Sequence, residues 1–156
     1  MIQDRYRAMT SQKCPPRRPF LRGGAVLAGL LWAAPLSLFG LLLALPVVLA
    51  GGRARLLRRP RPALLVAGVL ADRMLRRHPL GAMSGMALGH VVLVQRQALS
   101  PRLLRHELEH VRQAARWGLL FPLAYLAASA WALLHGRDAY WHNAFEVAAR
   151  AAEKRG

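Results

Sequence analysis

The chain has 156 residues, carries 23 Lys and Arg against 7 Asp and Glu for a net charge of +16, and is 54% hydrophobic. This length suits a single domain, the hydrophobic content excludes a disordered chain, and the single cysteine, Cys14, excludes an internal disulfide framework and a Cys-rich zinc module. A large positive charge combined with many apolar residues leaves two classes: a nucleic-acid-binding protein, or a protein held at an anionic membrane surface.

The first fifty residues divide into a basic segment and an apolar segment. Residues 1–24 are polar and basic and include Pro15, Pro16 and Pro19, which predicts a flexible cationic tail. Residues 25–50 contain no charged residue. Because about 20 apolar residues suffice to cross a membrane, we predict a hydrophobic membrane segment here. A buried hairpin in a soluble protein is the alternative.

Basic residues lie close to both ends of this apolar segment. No interleaving of aromatic and basic residues of the kind that binds single-stranded nucleic acid is present. The distribution therefore argues against nucleic acid and favours anionic membrane lipid as a partner. The positive charges on the two flanks are nearly balanced. We expect the region after residue 51 on the cytoplasmic side of a bacterial inner membrane.

Residues 51–156 predict one small α+β domain. The expected elements are, in chain order, a strand beginning within 63–71, a short helix over 72–78, a glycine-punctuated loop over 81–89, a strand at His90–Val94, a helix from Ser100 to about Trp117, an apolar stretch over 119–134, a polar connection over 135–142 and a final helix over 143–153. The β-branched residues of HVVLV predict the strand. A serine followed by Pro101 is a typical helix start, and Gly118 is a typical helix end.

The helix that begins at Ser100 contains the motif that carries chemistry, HExxH over 106–110. Residues i and i+4 lie one above the other on a helix face, so both imidazoles, His106 and His110, can reach one zinc ion. Glu107 lies beside the first ligand and can act as a general base on a water activated by the metal. The alternative is a solvated helix face with two incidental histidines.

Zinc needs a third protein ligand and an open fourth position for catalysis. Gln113 and Arg116 stand where a metzincin has glycine and histidine, which excludes that class. Glu146, inside the final helix, is the best candidate for the third ligand. His135 and His142 are the other candidates, and pairing of Glu146 with an arginine on the surface is the alternative role.

The spacing of the two helices is consistent with this choice of ligand. Residues 119–134 would span about 24 Å as a helix, which is shorter than the roughly 30 Å hydrocarbon core. If this stretch instead folds back antiparallel to the His-bearing helix, residues near 140–146 return to the level of the two histidines. The zinc hypothesis and the antiparallel return helix therefore support each other.

These motifs resemble the small bacterial zincins with HExxHxxQ, a gluzincin-like family of metallopeptidases. The matching residues are GHVVLV before the helix, His106, Glu107, His110 and Gln113 on it, and Asn143 and Glu146 after it. The resemblance covers Leu88 to Glu146. It implies a minimal zincin-like domain over 51–156, with Zn²⁺ as cofactor and peptide-bond hydrolysis as activity.

Further residues are candidates for other roles in such a site. Asn143 and Tyr140, with Tyr125 besides, are candidates for supporting the ligands or stabilising an oxyanion. An extended peptide or protein substrate is expected to pair with the edge of the predicted strand, which comprises His90, Val91, Val92, Leu93 and Val94. The leading hypothesis is a membrane-associated zinc metallopeptidase. The alternatives are a catalytically silent zinc-binding or membrane scaffold protein in which HExxH is structural, and a membrane-surface adaptor without metal.

Overall fold

The computed structural model describes residues 20–79 and 81–154 as a mixed α and β fold with one four-stranded sheet. Its elements are α1 (Phe20–Trp32), α2 (Ala34–Leu49), β1 (Arg53–Leu57), β2 (Ala63–Ala67), α3 (Val69–Arg76), β3 (Gly85–Leu88), β4 (Val91–Val94), α4 (Pro101–Trp117), a 3₁₀ turn (Gly118–Leu120), α5 (Phe121–Leu134) and α6 (Ala144–Glu153). Residues 20–24 of the predicted tail therefore belong to α1. Residues 1–19 of that tail lie outside the described residues.

The sheet has the order β1-β2-β4-β3. β2 and β4 are parallel, whereas β1 pairs antiparallel with β2 and β3 pairs antiparallel with β4. The prediction that the HVVLV strand offers a free edge is wrong, because β4 lies between β2 and β3. All four of its residues are buried, and such a continuous apolar run is typical of a strand covered on both faces. The expected loop over 81–89 contains β3, and His90 lies in the turn before β4.

Helices cover both faces of the sheet. Alternate strand residues such as Leu65 and Val92 pack with α4 on one face, while Val66 and Leu93 pack with α2 and α3 on the other. The buried residues of α2 recur at helical intervals: Leu36, Gly40, Ala44 and Val47. Leu36 packs with Ala114 and Phe121, whereas the other three lie against the sheet. Gly40 is required by this packing, since a Cβ there would lie 2.8 Å from the carbonyl oxygen of Leu88.

The predicted membrane segment thus forms α1 and α2, and α2 is a layer of the fold. Among the described residues, one helical stretch, Pro101–Leu134, is long and apolar enough to cross a membrane by length and composition, and α2 is apolar but shorter. The long stretch changes direction at Gly118, whose φ is +55°. The ring centroids of His110 and Tyr125 lie 6.4 Å apart, whereas an unbroken helix would separate these residues by about 22 Å. α5 therefore turns back towards α4, as predicted.

Candidate metal centre

Two capped helices bring the candidate ligands together. Ser100 caps α4, and its hydroxyl accepts a hydrogen bond from the Leu103 amide at 3.2 Å. The HExxH residues of α4 are buried. α6 begins at Asn143, whose carboxamide oxygen accepts the Phe145 amide at 2.9 Å. The carboxamide nitrogen of Asn143 donates to two acceptors on α5, at 3.0 and 2.8 Å. Asn143 is fully buried, and it fixes the first turn of α6 against α5.

His106, His110 and Glu146 form a compact triangle of metal-ligating atoms. The two Nε2 atoms lie 3.1 Å apart, Nε2 of His106 lies 3.3 Å from Oε2 of Glu146, and Nε2 of His110 lies 3.2 Å from Oε1. Tetrahedral ligands at the usual zinc bond lengths of about 2.0–2.1 Å are separated by roughly 3.3 Å. The observed separations, which involve both carboxylate oxygens of Glu146, are close to this value, so this buried group could hold a metal ion.

The outer ring nitrogen of His110 is held by Gln113. Nε2 of Gln113 donates to the carbonyl oxygen of Phe145 at 3.0 Å, so its Oε1 faces Nδ1 of His110 at 2.8 Å. Because Oε1 can only accept, Nδ1 carries a proton, and in the neutral form of His110 the lone pair is therefore on Nε2. A lone pair on Nε2 is the state that a metal ligand requires.

His106 is oriented in the same way by a carboxylate. Its Nδ1 lies 2.8 Å from Oε1 of Glu153 on the last turn of α6. The carboxylate accepts the proton on Nδ1 and leaves the lone pair of Nε2 directed at His110 and Glu146. In their neutral forms both histidines therefore direct the lone pair of Nε2 to the same point.

Glu146 adds a negatively charged carboxylate to the two imidazoles. The Tyr125 hydroxyl donates to Oε1 of Glu146 at 2.8 Å, while Oε2 is buried without a hydrogen-bond partner. Two lone pairs and an unpaired carboxylate oxygen repel one another unless a cation or extra protons lie among them. This donor set of two imidazoles and one carboxylate could hold a metal ion.

The pKa values of the three candidate ligands apply to the metal-free protein, in which protons on the histidines can balance the negative charge of Glu146. Burial opposes protonation of His106 and His110, but the hydrogen bond that Glu146 accepts, together with the negative charges of Glu107 and Glu146, outweighs it and raises the pKa of both imidazoles. Burial disfavours the ionised Glu146, yet hydrogen bonds donated by the same histidines hold the pKa of its carboxyl far below the usual range. The protonation of the three candidate ligands is therefore coupled.

Glu107 is buried next to the two histidines, and one of its carboxylate oxygens has no hydrogen-bond partner. It is 3% exposed, and the oxygen without a partner is Oε2. Burial raises the pKa of Glu107 to about 7, against the opposing charges of His110 and His106. The β3 backbone lies against its carboxylate at Gly85, where a Cβ would be only 2.6 Å from Oε1. Glu107 is thus poised between the ionised and protonated forms near neutral pH.

Two tyrosines approach Glu146. Tyr125 bonds to it directly, and burial together with the negative charge of Glu146 raises the pKa of Tyr125 well above its usual value. Burial first, and then the charge and a hydrogen bond of Glu146, raise the pKa of Tyr140 to about 12. Tyr140 is half-exposed, so it remains a protonated donor that solvent can reach.

Other candidate residues lie outside the triangle. The His90 amide donates to the Ser37 hydroxyl at 3.0 Å, and its Nδ1 lies 3.2 Å from the same atom, so His90 ties the β3–β4 turn to α2. Nδ1 of His135 lies 2.8 Å from the Trp131 carbonyl on the surface. Among the described residues, the metal-ligating group contains neither His135 nor His142.

Sequence reasoning assigned no role to Gly85. It considered Glu153 only as a weaker ligand candidate than Glu146 and Gln113 only as part of the motif, so it missed their contacts with His106 and His110. Glu153 follows Glu146 by seven residues, so the two share a helix face, and that spacing was a usable signal. The role of Gly85 depends on a strand that local sequence did not predict.

Comparison of the chain with protein families, with curated proteins and with solved structures returned no match.

Proposed function

We propose that the protein is a zinc-dependent metallopeptidase. One observation carries the proposal: the buried carboxylate of Glu107, whose Oε2 has no hydrogen-bond partner, lies beside the converging ligand atoms of His106, His110 and Glu146. A purely structural zinc site has four protein ligands and no need of such a carboxylate. Three ligands leave one coordination position for water or substrate, which is the arrangement of catalytic sites. The HExxHxxQ resemblance to small zincins agrees with this function.

Zinc in such a site supplies a Lewis acid and makes water more acidic. The chain itself supplies the proton transfers. Glu107 takes a proton from the attacking water and gives it to the leaving amine, and its burial beside the two histidines places it for both steps. Tyr140 is protonated and half-exposed, and in this proposal it donates a hydrogen bond to the oxygen of the scissile carbonyl.

The substrate is proposed to bind along β3 instead of β4. β3 is an edge strand of the sheet, and its first residue, Gly85, lies against Glu107. An extended peptide that adds a strand at a sheet edge gains main-chain hydrogen bonds. A peptide paired with β3 would carry its backbone past the carboxylate of Glu107 and towards the triangle.

Replacing Glu107 and Glu109 in parallel tests the enzymatic function. Glu107→Gln keeps the shape of the side chain but removes the base, so hydrolysis of a peptide library should fall by about 10²–10⁴-fold while zinc stays bound. Glu109 forms an ion pair with Arg112, with Nε of the arginine 2.8 Å from the carboxylate, and Glu109→Gln should retain most activity.

The outcomes separate the enzyme from its alternative. If native protein loaded with zinc cleaves nothing in a broad library, the catalytically silent zinc-binding scaffold is the better account. If Glu107→Gln cleaves as fast as native protein, the activity belongs to another site or to a contaminant.

We also propose that the protein acts at the cytoplasmic face of a bacterial inner membrane. The positive charge and the large exposed leucines of α2 and α5 support association with an anionic lipid surface.

A further inference from the structure

Two parallel helices and a sharp turn form an apolar tip at one end of the molecule. α1 packs along the C-terminal half of α4, where a Cβ on Gly29 would lie 3.1 Å from Cβ of Ala115. One turn further on, Gly118 lies so close to Trp32 that a Cβ there would be 2.5 Å from the indole nitrogen. The end of α1, the end of α4 and the 3₁₀ turn therefore meet at the same place.

The side chains at this tip are large, apolar and exposed. The apolar tip comprises Leu31 (68% exposed), Trp32 (51%), Trp117 (41%), Leu119 (57%), Leu120 (51%) and Leu123 (66%). α2 and α5 both start here, and they continue the apolar surface with Leu38, Phe39 and Leu126. A contiguous exposed surface of this kind marks an interaction site in a folded protein.

The charges around the tip identify its partner. From residue 20 to residue 134 the acidic side chains are Asp72, Glu107 and Glu109, and all three are buried. Arg116 lies exposed in the last turn of α4, beside the tip. The described residues of this region thus expose basic but no acidic side chains, and such a surface is attracted to anionic lipid headgroups. Tryptophans are enriched where proteins enter the membrane interface. A second copy of this chain would bring like charges together.

We propose that the apolar tip inserts into one leaflet of an anionic lipid bilayer. α2 has 16 residues and α5 has 14, so they are about 24 Å and 21 Å long, and each is shorter than the roughly 30 Å hydrocarbon core. The break at Gly118 prevents α4 and α5 from forming one straight span. The described helices thus suit an anchor in one leaflet.

Insertion of the apolar tip fixes the distance between the metal centre and the membrane. His110 precedes Gly118 on α4 by about 12 Å along the helix axis. An extended peptide covers this distance in about four residues. This step rests on the proposed peptidase function. The substrate class is then a polypeptide that is cleaved within a few residues of a membrane-anchored segment.

Vesicle flotation of the full-length protein tests the docking surface without any need for catalysis. Native protein should float with vesicles of phosphatidylethanolamine and phosphatidylglycerol and far less with pure phosphatidylcholine. Leu119→Lys should reduce vesicle partitioning by about tenfold or more, because burial of one leucine is worth roughly 1.5–3 kcal/mol. The added positive charge favours anionic lipid, so a loss can only reflect lost insertion.

Leu56→Lys is the matched control. Leu56 is 60% exposed on β1, away from the tip, and its replacement adds the same charge without loss of partitioning. Equal flotation of native protein and Leu119→Lys would overturn the proposal, as would native protein that does not float. A native dimer that Leu119→Lys dissociates in the absence of vesicles would instead assign the tip to self-association.

A paired cleavage assay tests the substrate class. The same cleavable sequence is presented free in solution and close to a lipid-anchored segment on the vesicles. Native protein should cleave the anchored peptide faster, and Leu119→Lys should lose this preference while it cleaves the free peptide normally. Cleavage of the free peptide without preference would refute the substrate class alone. Flotation without cleavage of either peptide would refute the peptidase function and leave the docking surface in place.

Discussion

Gly85→Ala probes the contact between the edge strand and the general base. The added Cβ would lie 2.6 Å from Oε1 of Glu107, whereas ordinary van der Waals contact begins near 3.4 Å. The carboxylate must therefore move by roughly 0.8 Å, and a displacement of about 1 Å in an active site can cost 10²-fold in rate. Gly85 does not have a positive φ, so alanine suits the backbone, and the loss should not arise from misfolding.

The assay combines peptide cleavage with metal analysis. Gly85→Ala should lose about 10²-fold in kcat/KM and keep native zinc content, because the three ligands do not contact residue 85. Ser84→Ala, an exposed neighbour on the same chain segment, is the control and should behave like native protein. Full activity in Gly85→Ala would refute the placement of Glu107 against β3, and loss of zinc would show that the substitution disturbs the fold.

Further predictions concern the candidate ligands and the residues that contact them. Glu153→Gln weakens the orientation of His106 and should lower zinc affinity by about 10- to 100-fold, as measured by competition with a chelator. Tyr125→Phe removes the donor to Oε1 of Glu146 and should lower the free energy of unfolding of the metal-free protein by about 1–3 kcal/mol in urea denaturation. The pKa values of His106 and His110 are raised in the metal-free fold, so their stabilising contribution is complete below about pH 6.5 and lost as pH rises. Zinc affinity should change in the opposite sense and fall as the pH is lowered, because protons compete for both imidazoles; melting curves and titrations across pH check both signs.

Local signals in the sequence located the helices of the centre well. Ser100, Pro101 and Gly118 mark the ends of α4 at the residues where the structure has them, because capping and helix termination depend on neighbours in the chain. Asn143 likewise caps α6. The i, i+4 spacing placed His106 and His110 on one face for the same local reason.

The sheet was harder to predict because pairing is not local. β1 is rich in arginine and has little hydrophobic alternation, so its sequence RARLL suggested only a basic flank. β3 is a four-residue strand that follows a glycine-rich stretch. Both exist because β2 and β4 offer them backbone partners, and neither carries a period-2 signal long enough to predict.

The apolar segment over 25–50 illustrates a limit of composition. Its lack of charge suggests lipid on all sides, yet Gly40 and Ala44 face the sheet. Small residues at i and i+4 were the available sign of close packing against another element. Their partners, Leu88 and Val91, lie more than forty residues further along the chain, beyond the reach of a local pattern.

Metal analysis of the purified full-length protein tests the central claim most directly. Native protein should contain about one zinc per chain, and His106→Ala should lose it, since removal of one of three protein ligands leaves too few to hold the ion. Glu109→Gln, on the same helix but paired with Arg112, should keep native zinc content. Full zinc retention in His106→Ala, or native protein that binds no zinc when metal is supplied, would contradict the account.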